Sequence, residues 1–142
     1  MSKITFTQLR MVFVLILFLC TLLAACQVNT AGPRVRFAEP ADGATAASPL
    51  KVVMAAENFT VEPAGDVRDG AGHLHIMLDT PCLSPGEVIP KDEQHLHFGD
   101  GSTEAEVELS PGAHTLCLQA ADGAHTALAG NGMTHTITVN VP

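Results

Sequence analysis

The chain has 142 residues, too few for more than one ordinary domain. Its formal charge of −8, from 7 Lys+Arg against 15 Asp+Glu, argues against tracking of a nucleic-acid backbone and against electrostatic adhesion to anionic lipid. Against that acidic background it carries 7 His, as many as its basic residues, and no Trp or Tyr.

The first element is an address. Lys3 and Arg10 precede an apolar run, Met11-Val-Phe-Val-Leu-Ile-Leu-Phe-Leu-Cys-Thr-Leu-Leu-Ala-Ala25. A basic start, a short apolar core and small residues before a cleavage point form a secretory signal, here residues 1–25. The run is shorter than the roughly 20 residues that cross a bilayer as a helix; an uncleaved anchor is the alternative. Leu23-Ala24-Ala25-Cys26 resembles the lipobox of bacterial lipoproteins. The resemblance implies transfer of a diacylglyceryl group to the Cys26 thiol, cleavage before it, and acylation of the new amino terminus. Acyl chains such as palmitate anchor at about 0.8 kcal/mol per buried methylene. Gln27, rather than Asp, follows the cysteine, which by the same likeness favours the periplasmic face of the outer membrane in a Gram-negative cell.

Processing would remove Lys3 and Arg10 from the 7 basic residues. Five then face 15 acidic ones, a charge of −10, and all 7 His remain. Cys20 leaves with the signal and Cys26 is lipidated, so Cys82 and Cys117 are left. In an oxidising compartment such a pair points to a disulfide, with a thiolate metal site as the competing reading. A bridge would stabilise by roughly 3–4 kcal/mol in the loop-entropy picture.

Residues 26–33 read as a lipidated tether, and residues 34–142 as one all-β domain. No helical apolar period persists. Short alternating runs cover Arg34–Ala38, Leu50–Glu57, His73–Asp79, His95–Phe98, Thr103–Leu109, His114–Ala120 and Thr134–Val141. Gly, Pro and Asp punctuate them, as in Pro40-Ala-Asp-Gly43, Gly99-Asp-Gly101 and Pro111-Gly112. About seven short antiparallel strands in a domain of this size predict an immunoglobulin-like sandwich. The stretch Leu109–Asp122 resembles the penultimate hairpin of bacterial immunoglobulin-like modules, and Thr134–Val141 their last strand.

Period-2 alternation assigns faces. Ile137, Val139 and Val141 face inward, as do Ala105, Val107 and Leu109. Glu104, Glu106 and Glu108 face out, a solvated row that discourages edge pairing rather than a cation site.

The histidines divide. His73, His75, Met77 and Asp79 share one face of their strand, and His95 and His97 share a face of theirs. A His-x-His pair on a strand sets two imidazoles on one side, roughly 6–7 Å apart at the backbone. Two such pairs on adjacent strands would bring four imidazoles to one ion, copper or zinc. Solvation on a half-exposed strand is the plainer alternative. Binding would weaken as pH falls through about 6.5, where free imidazole takes a proton. Met77 and the loop residue His125 are possible additions to the ligand set. His114 and His135 share the parity of apolar neighbours and are expected to be core residues bonded to backbone.

Three segments together, Gly72-His-Leu-His-Ile-Met-Leu-Asp79, His95-Leu-His-Phe-Gly-Asp-Gly-Ser-Thr-Glu104 and Pro111-Gly-Ala-His-Thr-Leu-Cys-Leu118 with Asp122 and His125, resemble the bacterial family DUF4399, a domain of unknown function. The resemblance covers roughly residues 50–141. It differs at Leu74, where a central His is usual, at Ser102, where Gln is common, and over 126–132, where a Pro-rich stretch is missing. It supports the envelope location and the histidine cluster and implies no reaction. His95-Leu-His-Phe-Gly-Asp100 is also faintly similar to a motif of copper–zinc superoxide dismutase, but the other ligands do not align and the activity is not carried over.

The resulting expectation is a lipid-anchored envelope protein with a histidine-rich domain that captures, buffers or delivers copper or zinc. The alternative is a metal-free envelope adaptor that presents its loops to a protein partner. An enzyme is not expected: no nucleophile elbow, phosphate loop or His-Glu-x-x-His occurs, and Cys82 and Cys117 do not form a Cys-x-x-Cys.

Overall fold

Strands form where apolar and polar residues alternate, and they stop at Gly, Pro and Asp. The computed structural model describes residues 31–142. The expected signal 1–25, the acceptor Cys26 and most of the tether lie outside the described residues. Nine strands follow in chain order: β1 (Arg34–Glu39), β2 (Ala44–Thr45), β3 (Leu50–Glu57), β4 (Thr60–Val61), β5 (Ala71–Leu78), β6 (His95–Phe98), β7 (Glu104–Val107), β8 (Gly112–Ala121) and β9 (Thr134–Val141).

They make two sheets. The smaller has the order β1-β3-β7. The larger runs β2-β9-β8-β5-β4, with β6 also paired to β5. The β5–β8 and β8–β9 ladders are antiparallel, as are β5–β6, β1–β3 and β3–β7. Two short pairings, β2–β9 and β4–β5, are parallel. The all-β sandwich of the sequence reading is therefore present, but with nine strands and a mixed larger sheet. The two strands the alternation missed are two residues each, too short to carry a period.

The core lies between the sheets. Val35, Phe37, Leu50, Val52, Met54 and Val107 of the small sheet meet residues of the large one. Leu74 and Ile76 of β5, Leu116, Leu118 and Ala120 of β8, and Ile137 and Val139 of β9 form that other side. Burying each such side chain contributes about 1.5–3 kcal/mol. Glu104 and Glu106 are exposed, as the row of alternating glutamates requires.

The outer face of the large sheet is not left to water. Met77, Cys117 and Ala121 point there and form a second small cluster with Ile89 and Ala127. The covering comes from the β5–β6 connection, residues 79–94, here termed the strap. A disulfide joins Cys82 of the strap to Cys117 of β8, with Cα atoms 5.6 Å apart. Just beyond it, the Leu83 N–H donates to Gln119 Oε1 at 2.9 Å, and Gln119 Nε2 donates to the Leu83 carbonyl at 2.8 Å. This fork satisfies a fully buried amide side chain and pins the strap flat.

Candidate metal centre

The pairing register decides which histidines can meet. Between β5 and β6, His75 lies opposite His97 and Met77 opposite His95. One step past the Leu74–Phe98 pair, the same register sets Gly99 opposite His73. A Cβ on Gly99 would lie 2.1 Å from Cε1 of the His97 ring. Glycine there leaves the space into which the imidazole leans. At the start of β5, Gly72 serves a different need: a Cβ would strike the Ala121 carbonyl oxygen at 2.0 Å, so only glycine lets β5 run this close to β8.

The fourth imidazole is His125, from the turn after β8. Asp122 builds that turn: its Oδ1 accepts the backbone N–H groups of Ala124 and Thr126, both at 2.9 Å. The Asp122 carbonyl accepts the His125 N–H at 3.1 Å. His125 itself adopts a left-handed backbone, φ 69°. That conformation is uncommon for a residue with a side chain, and here it aims the ring inward over the sheet.

Four rings thus converge. Nε2 of His75 lies 2.9 Å from Nε2 of His73, and Nε2 of His125 lies 3.1 Å from Nε2 of His97. Ring centres are 4.8 Å apart for His73–His75, His73–His125 and His97–His125, and 5.0 Å for His73–His97 and His75–His97. The sixth pair, His75–His125, is 6.0 Å. Four imidazoles bound at about 2.0–2.1 Å around a tetrahedral ion place their nitrogens roughly 3.3 Å and their ring centres roughly 5 Å apart. One ligand atom each of His73, His97 and His125 already lies within 4.8 Å of the others.

The electrostatics favour neutral rings. Burial pushes His73 down to about 4, helped by His125 and His97 and opposed by Asp122. Burial pushes His75 down to about 3, helped by His73, His97 and His125. His97 is lowered as well, first by burial and then by His125 and Lys91. A neutral imidazole offers a lone pair without first losing a proton, which is the form a metal needs. His73 and His75 are fully buried, and the Nδ1 atoms of both lack a hydrogen-bond partner. Each such unpaired buried polar atom costs about 1–3 kcal/mol, so the cluster is a stress in the fold rather than a contributor to it. His97 and His125 are half-buried and form the side open to solvent.

The remaining sequence-predicted residues fall elsewhere. His95 is not brought into the group; its Nδ1 lies 2.7 Å from Asp92 Oδ1, two register pairs away from His97. Met77 is packed in the apolar cluster beneath the strap. The histidine-bearing strand is buried on both faces and not half-exposed, because the strap covers what alternation alone leaves open. His135 is a backbone-bonded histidine as expected, its Nδ1 accepting the Phe37 N–H at 3.1 Å. His114 differs: its Nδ1 pairs with Asp79 Oδ2 and its Nε2 with the Ser110 carbonyl, both at 2.8 Å. The Asp79 carboxylate raises its pKa, aided by the Ser110 carbonyl. Gly99, Asp122 and Gln119 were not singled out from the sequence as site residues. The Asp-Gly-Ala-His spacing of the turn was the one local signal available.

These features define a class: a disulfide-bonded β sandwich with a buried imidazole cluster on the outer face of its larger sheet. The chain belongs to the family described as Domain of unknown function (DUF4399), which matches residues 52–142. That match takes in β5, β6, β8 and the turn that carries His125. No curated protein and no solved structure matches the chain.

Proposed function

We propose that this is a lipid-anchored cell-envelope protein whose β domain binds a transition metal, copper or zinc, for capture, buffering or delivery. One observation carries the metal reading: four imidazoles, from two strands and a turn, cluster with ring centres 4.8–6.0 Å apart, and ligand atoms of His73, His97 and His125 lie within 4.8 Å of one another. A set of imidazoles without carboxylate or thiolate suits Zn(II), Cu(II) and Ni(II) rather than Ca(II) or Mg(II). Four donors fill a tetrahedral shell, which favours holding an ion over reacting at one. The domain's 5 basic residues against 15 acidic ones, a charge of −10, attract cations to it as a whole. Supporting the location, the Leu23-Ala-Ala-Cys26 stretch ends an apolar run, and the Cys82–Cys117 disulfide fits an oxidising compartment.

The test is titration of the purified full chain with Zn(II) and Cu(II), read by calorimetry and by metal content. Binding tighter than micromolar is expected, with loss of 100-fold or more in the His73→Ala/His75→Ala variant. Absence of binding, or an unchanged double variant, overturns the reading. Membrane fractionation tests the anchor separately: Cys26→Ser should move the protein from the membrane to the soluble fraction.

A further inference from the structure

His125 is the donor held least directly by the sheet. Its turn is tied to the strap by three backbone bonds: Gly86 N–H to the Ala127 carbonyl at 2.9 Å, Ala127 N–H to the Glu87 carbonyl at 2.8 Å, and Ile89 N–H to the His125 carbonyl at 2.9 Å. The strap in turn is tied to β8 by the Cys82–Cys117 bond and the Leu83–Gln119 fork beside it. A continuous path therefore runs from the disulfide to the fourth imidazole. The cystine is also reachable. It lines an open cleft of about 430 Å³ together with Pro81, Thr115 and Thr136. Cys82 is the half-buried sulfur, while Cys117 is 3 % exposed.

We propose that the Cys82–Cys117 disulfide is a redox gate on the imidazole cluster, opened by a dithiol reductant of the cell envelope. The inference rests on the metal-binding reading above. A thiolate of the reductant attacks Cys82 Sγ, the S–S bond breaks, and Cys117 leaves as a thiolate that takes up a proton. The second thiol of the reductant then attacks the mixed disulfide and releases Cys82. The reductant loses two electrons and two protons and becomes a disulfide; the protein gains two thiols. Freed of its covalent tie, the strap keeps the bonds of Asp79 and Gln94 at its two ends, and between them the Gln119 fork, Ile89 and its bonds to 125–127. The His125 turn then keeps its own Asp122 bonds and its bridge to Ala121 but loses the covalently anchored strap behind it, so its imidazole is held less firmly than the other three. Coupling between sites of this kind typically changes affinity 5- to 150-fold.

The experiment compares Zn(II), a redox-inert probe, on oxidised full chain and on the Cys82→Ser/Cys117→Ser variant, which has no thiols here to bind zinc. The variant should bind at least fivefold more weakly. In a His125→Ala background, the same cysteine substitutions should change affinity less than twofold, because the donor they control is already gone. Equal binding by oxidised protein and cysteine variant overturns the gate, as does an equal loss in the His125→Ala background. Should the variant not fold, oxidised chain and chain reduced by a phosphine and alkylated make the same comparison. Amide exchange in metal-free protein separates the two readings. Faster exchange at 83–89 and 125–127 on reduction supports the gate's mechanics whatever the zinc result, and unchanged exchange there overturns them. Failure of the oxidised chain to bind zinc at all overturns the metal reading itself.

Discussion

The two faces of β5 invite comparison. Its inner side chains, Leu74 and Ile76, and its outer ones, His73, His75 and Met77, are equally buried. The inner set meets another sheet and contributes apolar burial to stability. The outer histidines meet one another, leave two ring nitrogens without partners, and are kept neutral by the same burial. Equal burial therefore has opposite energetic meaning on the two sides of one strand. The inner face stabilises the fold; the outer face carries buried polar groups whose partners the fold does not supply.

The comparison breaks most sharply at Ile76. Replacement by alanine should cost about 2–5 kcal/mol in denaturant unfolding while the four imidazoles keep their zinc stoichiometry. Loss of zinc sites in folded Ile76→Ala protein would show that the two faces are not separable.

Acid should act on the outer face alone. The unfolded chain takes up protons below about 6.5, whereas folded His73 and His75 refuse them until about 4 and about 3. Stability of the metal-free protein is therefore full above 6.5 and falls as the pH drops from there toward 4. Each histidine should account for on the order of 2 kcal/mol between pH 6.5 and 5. Denaturant curves at pH 7 and 5 measure this; equal stability would mean that the rings are not held neutral.

A smaller effect is expected at Gly99, which touches no metal but shapes the seat of His97. Gly99→Ala should push the ring aside and weaken Zn(II) binding about 10- to 100-fold, the usual cost of disturbing a ligand's support. Thermal stability without metal should change little by comparison. Affinity within twofold of the parent would show that His97 is not required in its present place.

The smallest effect belongs to His114, outside the cluster. Its pKa is raised by Asp79, so the charged pair stabilises fully below about 6.5 and is lost as pH rises through the higher folded value. His114→Gln should cost under about 1 kcal/mol at pH 6, since Asp79 is half-exposed, and less at pH 9. A larger deficit at pH 9 would contradict the sign.

Much of this was legible in the residues. Thr134–Val141 and Leu50–Glu57 show their faces by strict alternation, and both strands have the expected bounds. His73 and His75 share a face because a strand's period is two, as do His95 and His97. What alternation cannot supply is register. A two-residue offset sets His95 beside Met77, and the missing donor comes instead from His125, 28 residues after His97 in the chain. Nor can it supply cover: the strap residues between Pro81 and Pro90 carry no period, yet Cys82, Leu83 and Ile89 pack with Met77, Cys117 and Ala121 on the outer face of the large sheet.

The strap has one more consequence. Antiparallel neighbours such as β5 and β6 can be joined by as few as two residues, yet 79–94 are used. The extra chain is a roof and not a hinge of the sandwich. Its side chains are constrained only where Cys82, Leu83 and Ile89 meet the sheet, and not by the core between the sheets.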